Sequence, residues 1–168
     1  MSLVPLADLP GDARLWCFAA DPAPDPATAD RLLAAVREFA ETWAAHGADL
    51  RAGAEWVADR VLCLAVDERA AGVSGCSIDA LTGRLRALEE ELGISLLDGG
   101  SVRWRDPDGR PRTASRERFR TLAREGRVGP DTPVLDLTLP RLADLRDGRL
   151  ERPASASWHA RLLPVPSP

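Results

Sequence analysis

The chain has no lysine, asparagine, glutamine or tyrosine, and all 22 of its basic residues are arginine. Without lysine there is no amine for a Schiff base and no cation to complete a phosphate-binding loop. Chemistry falls to the carboxylates, Arg, Cys, His, Ser and Thr. There are three cysteines, an odd number that excludes a complete disulfide framework. Cys17 and Cys63 sit in apolar runs and read as buried thiols. With Cys76 they point to a reducing, cytoplasmic setting. Long hydrophobic runs are missing too. Asp8, Pro10, Gly11 and Asp12 interrupt the first 13 residues, which read as neither a secretory leader nor a membrane span. Positive charge is not in excess. The net charge is −4 and the pI about 5.3, so no general pull toward nucleic acid or an anionic membrane is expected.

What remains is an ordinary globular composition. The 168 residues are 45% apolar and 29% charged, enough for one domain with a real core or for two small ones. Arg14 to Ala20 reads as a strand, closed by Asp21-Pro22-Ala23-Pro24-Asp25-Pro26. Thr28 or Asp30 can cap a helix carrying Leu32, Val36, Phe39, Ala40 and Trp43. His46-Gly47 ends it, with Gly at the left-handed stop position. Leu50 to Trp56 and Arg60 to Asp67 read as two strands. The run from Val61 to Val66 is apolar without interruption, as in a strand covered on both faces. Ile78, Leu81, Leu85, Leu88 and Leu92 mark a second helix stopped at Gly93. Ile94 to Leu97 reads as a further strand.

The order is strand, helix, strand, strand, helix, strand. The expected fold is therefore α+β, a ferredoxin-like sandwich over residues 1–98. A small hairpin, helix and strand module over 100–150 is expected next, around the Asp106-Pro107-Asp108-Gly109 turn, with Ser115 as a helix cap and Val134 to Leu139 as a strand. Residues 151–168 are expected to form a loose tail. The sandwich leaves a puzzle. In the strands at 14–20 and 61–66 neither face is polar, and two helices cover only one side. Leu15, Cys17, Val61 and Cys63 need a cover, either from the segment after Gly100 or from a second copy in a homodimer.

The chemistry is concentrated in Val73-Ser74-Gly75-Cys76-Ser77-Ile78-Asp79, between a strand and a helix. In the sandwich, His46, Asp67, Glu68 and Cys76 gather on one rim. A thiol at a helix N-terminus has a lowered pKa, an imidazole can deprotonate it, and a carboxylate can orient the imidazole. Plainer roles fit the same residues. Ser77 can cap the helix, Asp79 can favour its dipole, Gly75 can permit the turn, and Cys76 can be a small buried residue. His46 at a helix C-terminus favours the dipole, and Trp158 beside His159 can anchor the tail. No Cys-x-x-Cys or His-x-x-x-His pair suggests a metal, and no cofactor is expected. The arginines at 103, 105, 110, 112, 116, 118 and 120 form either a solvated face or a surface for an acidic or phosphorylated partner.

Two resemblances accompany these residues. Trp43 to Leu50, Val66-Asp67-Glu68, Ser74 to Asp79 and Ser157-Trp158-His159 resemble a family of uncharacterised bacterial proteins. Some of its members carry an ABC-transporter ATPase label. This chain argues against that activity, having neither the Gly-x-x-x-x-Gly-Lys-Ser/Thr loop nor a lysine to complete one. Residues 102–137 resemble a GYF-type domain, an adaptor fold for proline-rich or other peptides. The matching residues are Trp104, Gly109, Phe119 to Leu122, Gly126 and Thr132-Pro133-Val134. Where that family carries Gly-Pro and aromatics after the hairpin, this chain has Arg110-Pro111-Arg112.

Two functions follow. The first is a non-catalytic binding or adaptor protein, with a small-molecule or protein partner held by Glu68, Ser74, Gly75, Ser77, Asp79 and His159. The second is a cytoplasmic thiol-dependent enzyme with Cys76 as nucleophile, His46 as base and Asp67 as orienting carboxylate.

Overall fold

The computed structural model describes residues 2–44, 51–58, 60–69 and 75–164. The fold is mixed α+β. Among the described residues it has two four-stranded sheets and four α-helices. The chain divides into two compact units. The first is Met1–Leu97 with Leu137–Arg146, and the second is Asp98–Asp136 with Asp147–Pro168.

The first unit holds β1 (Ser2–Leu3), β2 (Arg14–Ala19), α1 (Pro26–Ala44), β3 (Arg51–Ala58), β4 (Val61–Asp67), α2 (Gly75–Leu92) and α4 (Leu142–Arg146). Its sheet order is β1-β3-β4-β2. Only the two-residue β1 runs parallel to its neighbour; the β2–β4 and β3–β4 pairs are antiparallel. β4 lies in the middle, which is why its apolar run has no polar face. All seven of its residues are buried. The strand expected at 94–97 is reduced to a single bridge, Asp21 with Ser95. Glu89 explains the loss. Its carboxylate accepts from the backbone amides of Leu96 and Leu97, which a strand would have spent on the sheet.

α1 begins earlier than the Thr28 or Asp30 cap implied. Asp25 accepts from the Thr28 amide at 2.9 Å and from the Thr28 hydroxyl at 3.0 Å, and Pro26 takes the first helical position. α1 and α2 cover one face of the sheet. Leu32, Val36, Leu81 and Leu85 pack there with Ala52, Ala54, Leu62, Leu64 and Val66.

The chain itself covers the other face. Leu15, Cys17, Val61 and Cys63 are all buried. Residues 4–13 lie over the sheet at Gly53, and the Leu6 amide donates to Glu55 Oε1 at 2.9 Å. Segment 137–146 is laced to this arm. Leu142 N donates to the Ala13 carbonyl at 2.9 Å and Leu15 N to that of Pro140 at 3.0 Å. The Arg146 guanidinium donates to the carbonyls of Leu6, Ala7 and Leu9 at 2.8, 3.1 and 2.8 Å. A segment after Gly100 was one of the two expected covers. The N-terminal arm is a cover that no local pattern in the sequence announces, and with Leu15, Cys17, Val61 and Cys63 buried within one chain this face offers no apolar patch for a dimer.

Gly53 sets how closely the arm approaches. A Cβ there would sit 2.5 Å from the Val4 carbonyl oxygen and 3.2 Å from Leu6 Cδ2. Gly53→Ala should therefore lift the arm and cost about 1–3 kcal/mol, as overpacking does. Urea unfolding of the first unit would measure the cost, and an unchanged midpoint would refute this account of the contact.

The second unit holds β5 (Ser101–Arg105), β6 (Pro111–Ser115), α3 (Arg116–Arg124), β7 (Pro133–Leu135) and β8 (Glu151–Pro153), with sheet order β6-β5-β7-β8. Here the expected boundaries need correcting. β7 ends at Leu135, well short of Leu139, and the chain then leaves for the first unit until Arg146. Residues 151–164 are no loose tail. β8 adds a strand beside β7, and Ala154, Trp158 and Leu162 pack with Val102, Phe119 and Val134. The reason is hydrophobic: the small sheet needs these side chains to close its core.

Candidate functional site

The rim of the first unit was the sequence's candidate. β2 starts where β4 ends, with Arg14 opposite Val66. Asp67 and Glu68 lie at the sheet edge where β2 begins, and the Arg14 guanidinium lies 3.3 Å from Glu68 Oε1. Asp67 is committed to Arg69. It accepts from Arg69 Nε at 2.9 Å, from a terminal nitrogen at 2.7 Å and from the Arg69 amide at 3.2 Å. The Arg69 guanidinium holds its carboxyl down to about 2 against the opposing effect of burial. Such a carboxylate is a weak proton acceptor and already has its partners. His46 and Ser74 lie outside the described residues. So do the side chains of Cys76 and Ser77, although α2 begins at Gly75. Asp79 stands exposed one turn into α2.

The other two thiols are where the apolar runs implied. Cys17 and Cys63 face each other across β2 and β4 with their sulfurs 3.3 Å apart, both buried. The hydrogen bond between them and the burial push the Cys63 thiol well above its ordinary pKa. Buried against each other, the two thiols are packed as core residues.

His159 is not at a surface. Its side chain is 1% exposed, stacked on Trp158 at 3.9 Å, with Nδ1 2.8 Å from Ser157 Oγ. Burial lowers its pKa to about 4, so the ring is neutral. It is a core residue of the second unit, and the expected ligand role does not survive that burial. Among the described residues no three His, Cys, Asp or Glu side chains gather as metal ligands. Among them, too, no helix is long and apolar enough to cross a membrane.

An open concavity in the second unit was only half visible in the sequence. Trp104 on β5 stands between Arg112 on β6 and Val134 on β7. Phe119 of α3 meets its ring edge-on at 5.3 Å and 72°. The indole is thus fixed by packing. The hairpin beside it is equally set. Asp106 accepts from the amides of Asp108 and Arg110 at 3.0 and 2.9 Å and from Arg112 Nε at 2.8 Å. These bonds, the Arg110 amide foremost, hold the Asp106 carboxyl below its usual range. Gly109 closes the turn with φ +76°.

α3 supplies the other wall. Ser115 caps it, accepting from the Arg118 amide at 3.2 Å. Its C-terminus is a Schellman turn. Gly126 takes φ +72°, its amide bonds to the Ala123 carbonyl at 3.1 Å, and the Arg127 amide bonds to that of Leu122 at 2.9 Å. This turn aims Arg127 and Val128 back toward the hairpin. Between the walls lies an open concavity of about 750 Å³, lined by Trp104, Pro107, Leu122 and Val128 with Arg118 and Arg127. The sequence signalled its frame through the Asp-Pro-Asp-Gly turn, the Ser115 cap and Gly126. Val128 and Arg127 carried no signal, because only the Schellman turn brings them to the hairpin.

No protein-family model, curated protein or solved structure matches the chain.

Proposed function

We propose that this chain is a non-catalytic binding or adaptor protein, holding a short segment of a partner protein in the concavity of its second unit. One observation carries the reading. A buried Trp104, packed edge-on against Phe119, is among the residues lining an open concavity of about 750 Å³, a size suited to a few side chains of an extended ligand. Hairpin, helix and strand follow in the order of a GYF-type module, which supports the finer fold and the peptide ligand. In the first unit, β4 lies between β2 and β3, and α1 and α2 lie on one face. That arrangement supports a ferredoxin-like sandwich whose last strand has shrunk to a bridge. The Ser74 to Asp79 motif supports a further partner site on that unit. The thiol-enzyme reading is the weaker one, because Asp67, its orienting carboxylate, is engaged by Arg69.

The test is peptide display against the full chain, followed by amide chemical-shift mapping with the selected peptide. Shifts should centre on Trp104, Arg112, Leu122 and Val128. Ala114 lines the same concavity and is only partly buried. Ala114→Arg should fill it and weaken binding by about tenfold or more while the circular dichroism stays native. Failure to enrich any peptide, or shifts confined to the first unit, would overturn the proposal.

A further inference from the structure

The two walls of the Trp104 concavity differ in charge balance. On the hairpin wall Arg112 and Asp106 satisfy each other at 2.8 Å, and Asp108 adds a second carboxylate to the lining. On the α3 wall two guanidiniums share one carboxylate. Arg118 lies 3.6 Å from Glu125 Oε1 and Arg127 lies 3.9 Å from Glu125 Oε2. Both are beyond hydrogen-bonding distance. Arg118 and Arg127 both line the concavity and keep about half or more of their side-chain surface in solvent. Arg120 and Arg124, exposed on the same helix, form no ion pair among the described residues. The second unit as a whole carries twelve arginines against nine carboxylates, although the chain is net −4.

Resting on the peptide-binding reading above, we propose that the concavity selects an acidic peptide: an apolar side chain seated on Trp104, Leu122 and Val128, with a neighbouring Asp or Glu bridging Arg118 and Arg127. The geometry suits a carboxylate. Both guanidiniums already lie within 4 Å of one carboxylate's oxygens, so the gap between them can be spanned by another. Two guanidiniums with spare donors gain charge-assisted hydrogen bonds that Glu125 alone does not supply. The apolar floor gives affinity and the arginine pair gives choice of partner.

Asp106 and Asp108 decide against a polyanion. They line the opposite wall, and Asp106 stays ionised because its bonds to Arg110 and Arg112 hold its pKa down. A nucleic-acid strand would lay successive phosphates across both walls and meet those carboxylates. A peptide with one acidic side chain at the α3 end does not. The same arrangement gives the ligand a direction, with its acidic residue toward Arg127 and a neutral or basic residue toward Asp108.

The experiment uses the full chain and three short, capped peptides with one leucine-containing core, flanked by Glu, by Gln or by Arg, titrated calorimetrically at low and at elevated salt. The Glu-flanked peptide should bind about tenfold more tightly than the Gln-flanked one, and the preference should shrink as salt rises. Arg118→Gln with Arg127→Gln should remove the preference, so that the Glu- and Gln-flanked peptides bind the variant equally. Both side chains are solvent-exposed, so the fold should persist, checked by circular dichroism. Equal binding of Glu- and Gln-flanked peptides overturns the inference and leaves the peptide-binding reading intact. Binding of none of the three removes both. Tighter binding of a uridine oligonucleotide at the same residues would assign the arginines to nucleic acid and also overturn it. Self-association of the chain that the Glu-flanked peptide displaces would give the groove to a second copy instead.

Discussion

Phe119→Ala should lower the melting temperature of the second unit by well over ten degrees. Phe119 is fully buried and central to that unit's core. It meets Trp104 edge-on at 5.3 Å and lies 6.5 Å from the His159 ring. Truncating such a side chain costs about 3–5 kcal/mol, through lost burial and the cavity left behind. In so small a unit each kcal/mol is worth about 4–8 °C. The readout must separate the two units. Amide exchange does so, because protection should collapse in β5, α3 and β7 and persist in β4. Uniform loss across both units would mean that they melt as one. Unchanged protection in β5 would mean that Phe119 does not hold Trp104. The same substitution should abolish peptide binding, since the floor of the concavity rests on that aromatic contact.

How much of this was legible follows from the range of each interaction. β4, α1, α2 and the 101–115 hairpin are local patterns. An unbroken apolar run, a helical repeat and an Asp-Pro-Asp-Gly turn each declare themselves within a few residues. Ser115 and Gly126 punctuate α3 in the same way. Sequence pattern and structure part where local signals compete. Asp25-Pro26 is both a breaker and a capped helix start, and the second reading won because Asp25 reaches the Thr28 amide. Ile94 to Leu97 looks like a strand, but Glu89, seven residues away, takes the Leu96 amide.

The larger surprises are long-range. Arg146 reaches the Leu6 carbonyl across 140 residues of sequence, and no local pattern around either residue announces the other. What the sequence did announce was the need for a cover. An apolar strand without a polar face implies something on each side of it, although not what. Function was less legible still. Cysteine, histidine and carboxylate attract attention as chemistry, and here two thiols, His159 and Asp67 are occupied by packing or by each other. The arginines of α3 read equally as a solvated face or as a surface for an acidic or phosphorylated partner. Only the Schellman turn after Leu122, which swings Arg127 beside Arg118, made two of them a pair.

Stability of the second unit should fall as pH drops from about 6.5 to about 4, with His159 as the cause. Burial lowers this imidazole to about 4, with nearby Asp136 opposing and Arg152 and Arg116 assisting. In the unfolded chain it titrates near 6.5. Above about 6.5 the ring is neutral in both states, and its contribution to stability is complete. Between the two values the unfolded chain binds a proton that the folded unit excludes, so stability declines as pH falls. Below about 4 both states are protonated and the loss levels off. A shift of this size is worth up to about 3 kcal/mol, at about 1.36 kcal/mol per unit. Asp98 and Asp106, whose carboxyls are held below their ordinary range by Ser101 and by the Arg110 amide, act in a separate, more acidic window. Protonating them weakens the fold only as pH falls below about 4. Denaturant unfolding across pH, followed by amide signals of the second unit, measures the first window. His159→Gln should flatten it, because a neutral amide cannot take up the proton. The ring resonance of His159 provides an independent check. Titration near 4 supports the assignment, whereas titration near 6.5 in the folded protein would show that the ring is hydrated and the pH dependence has another source.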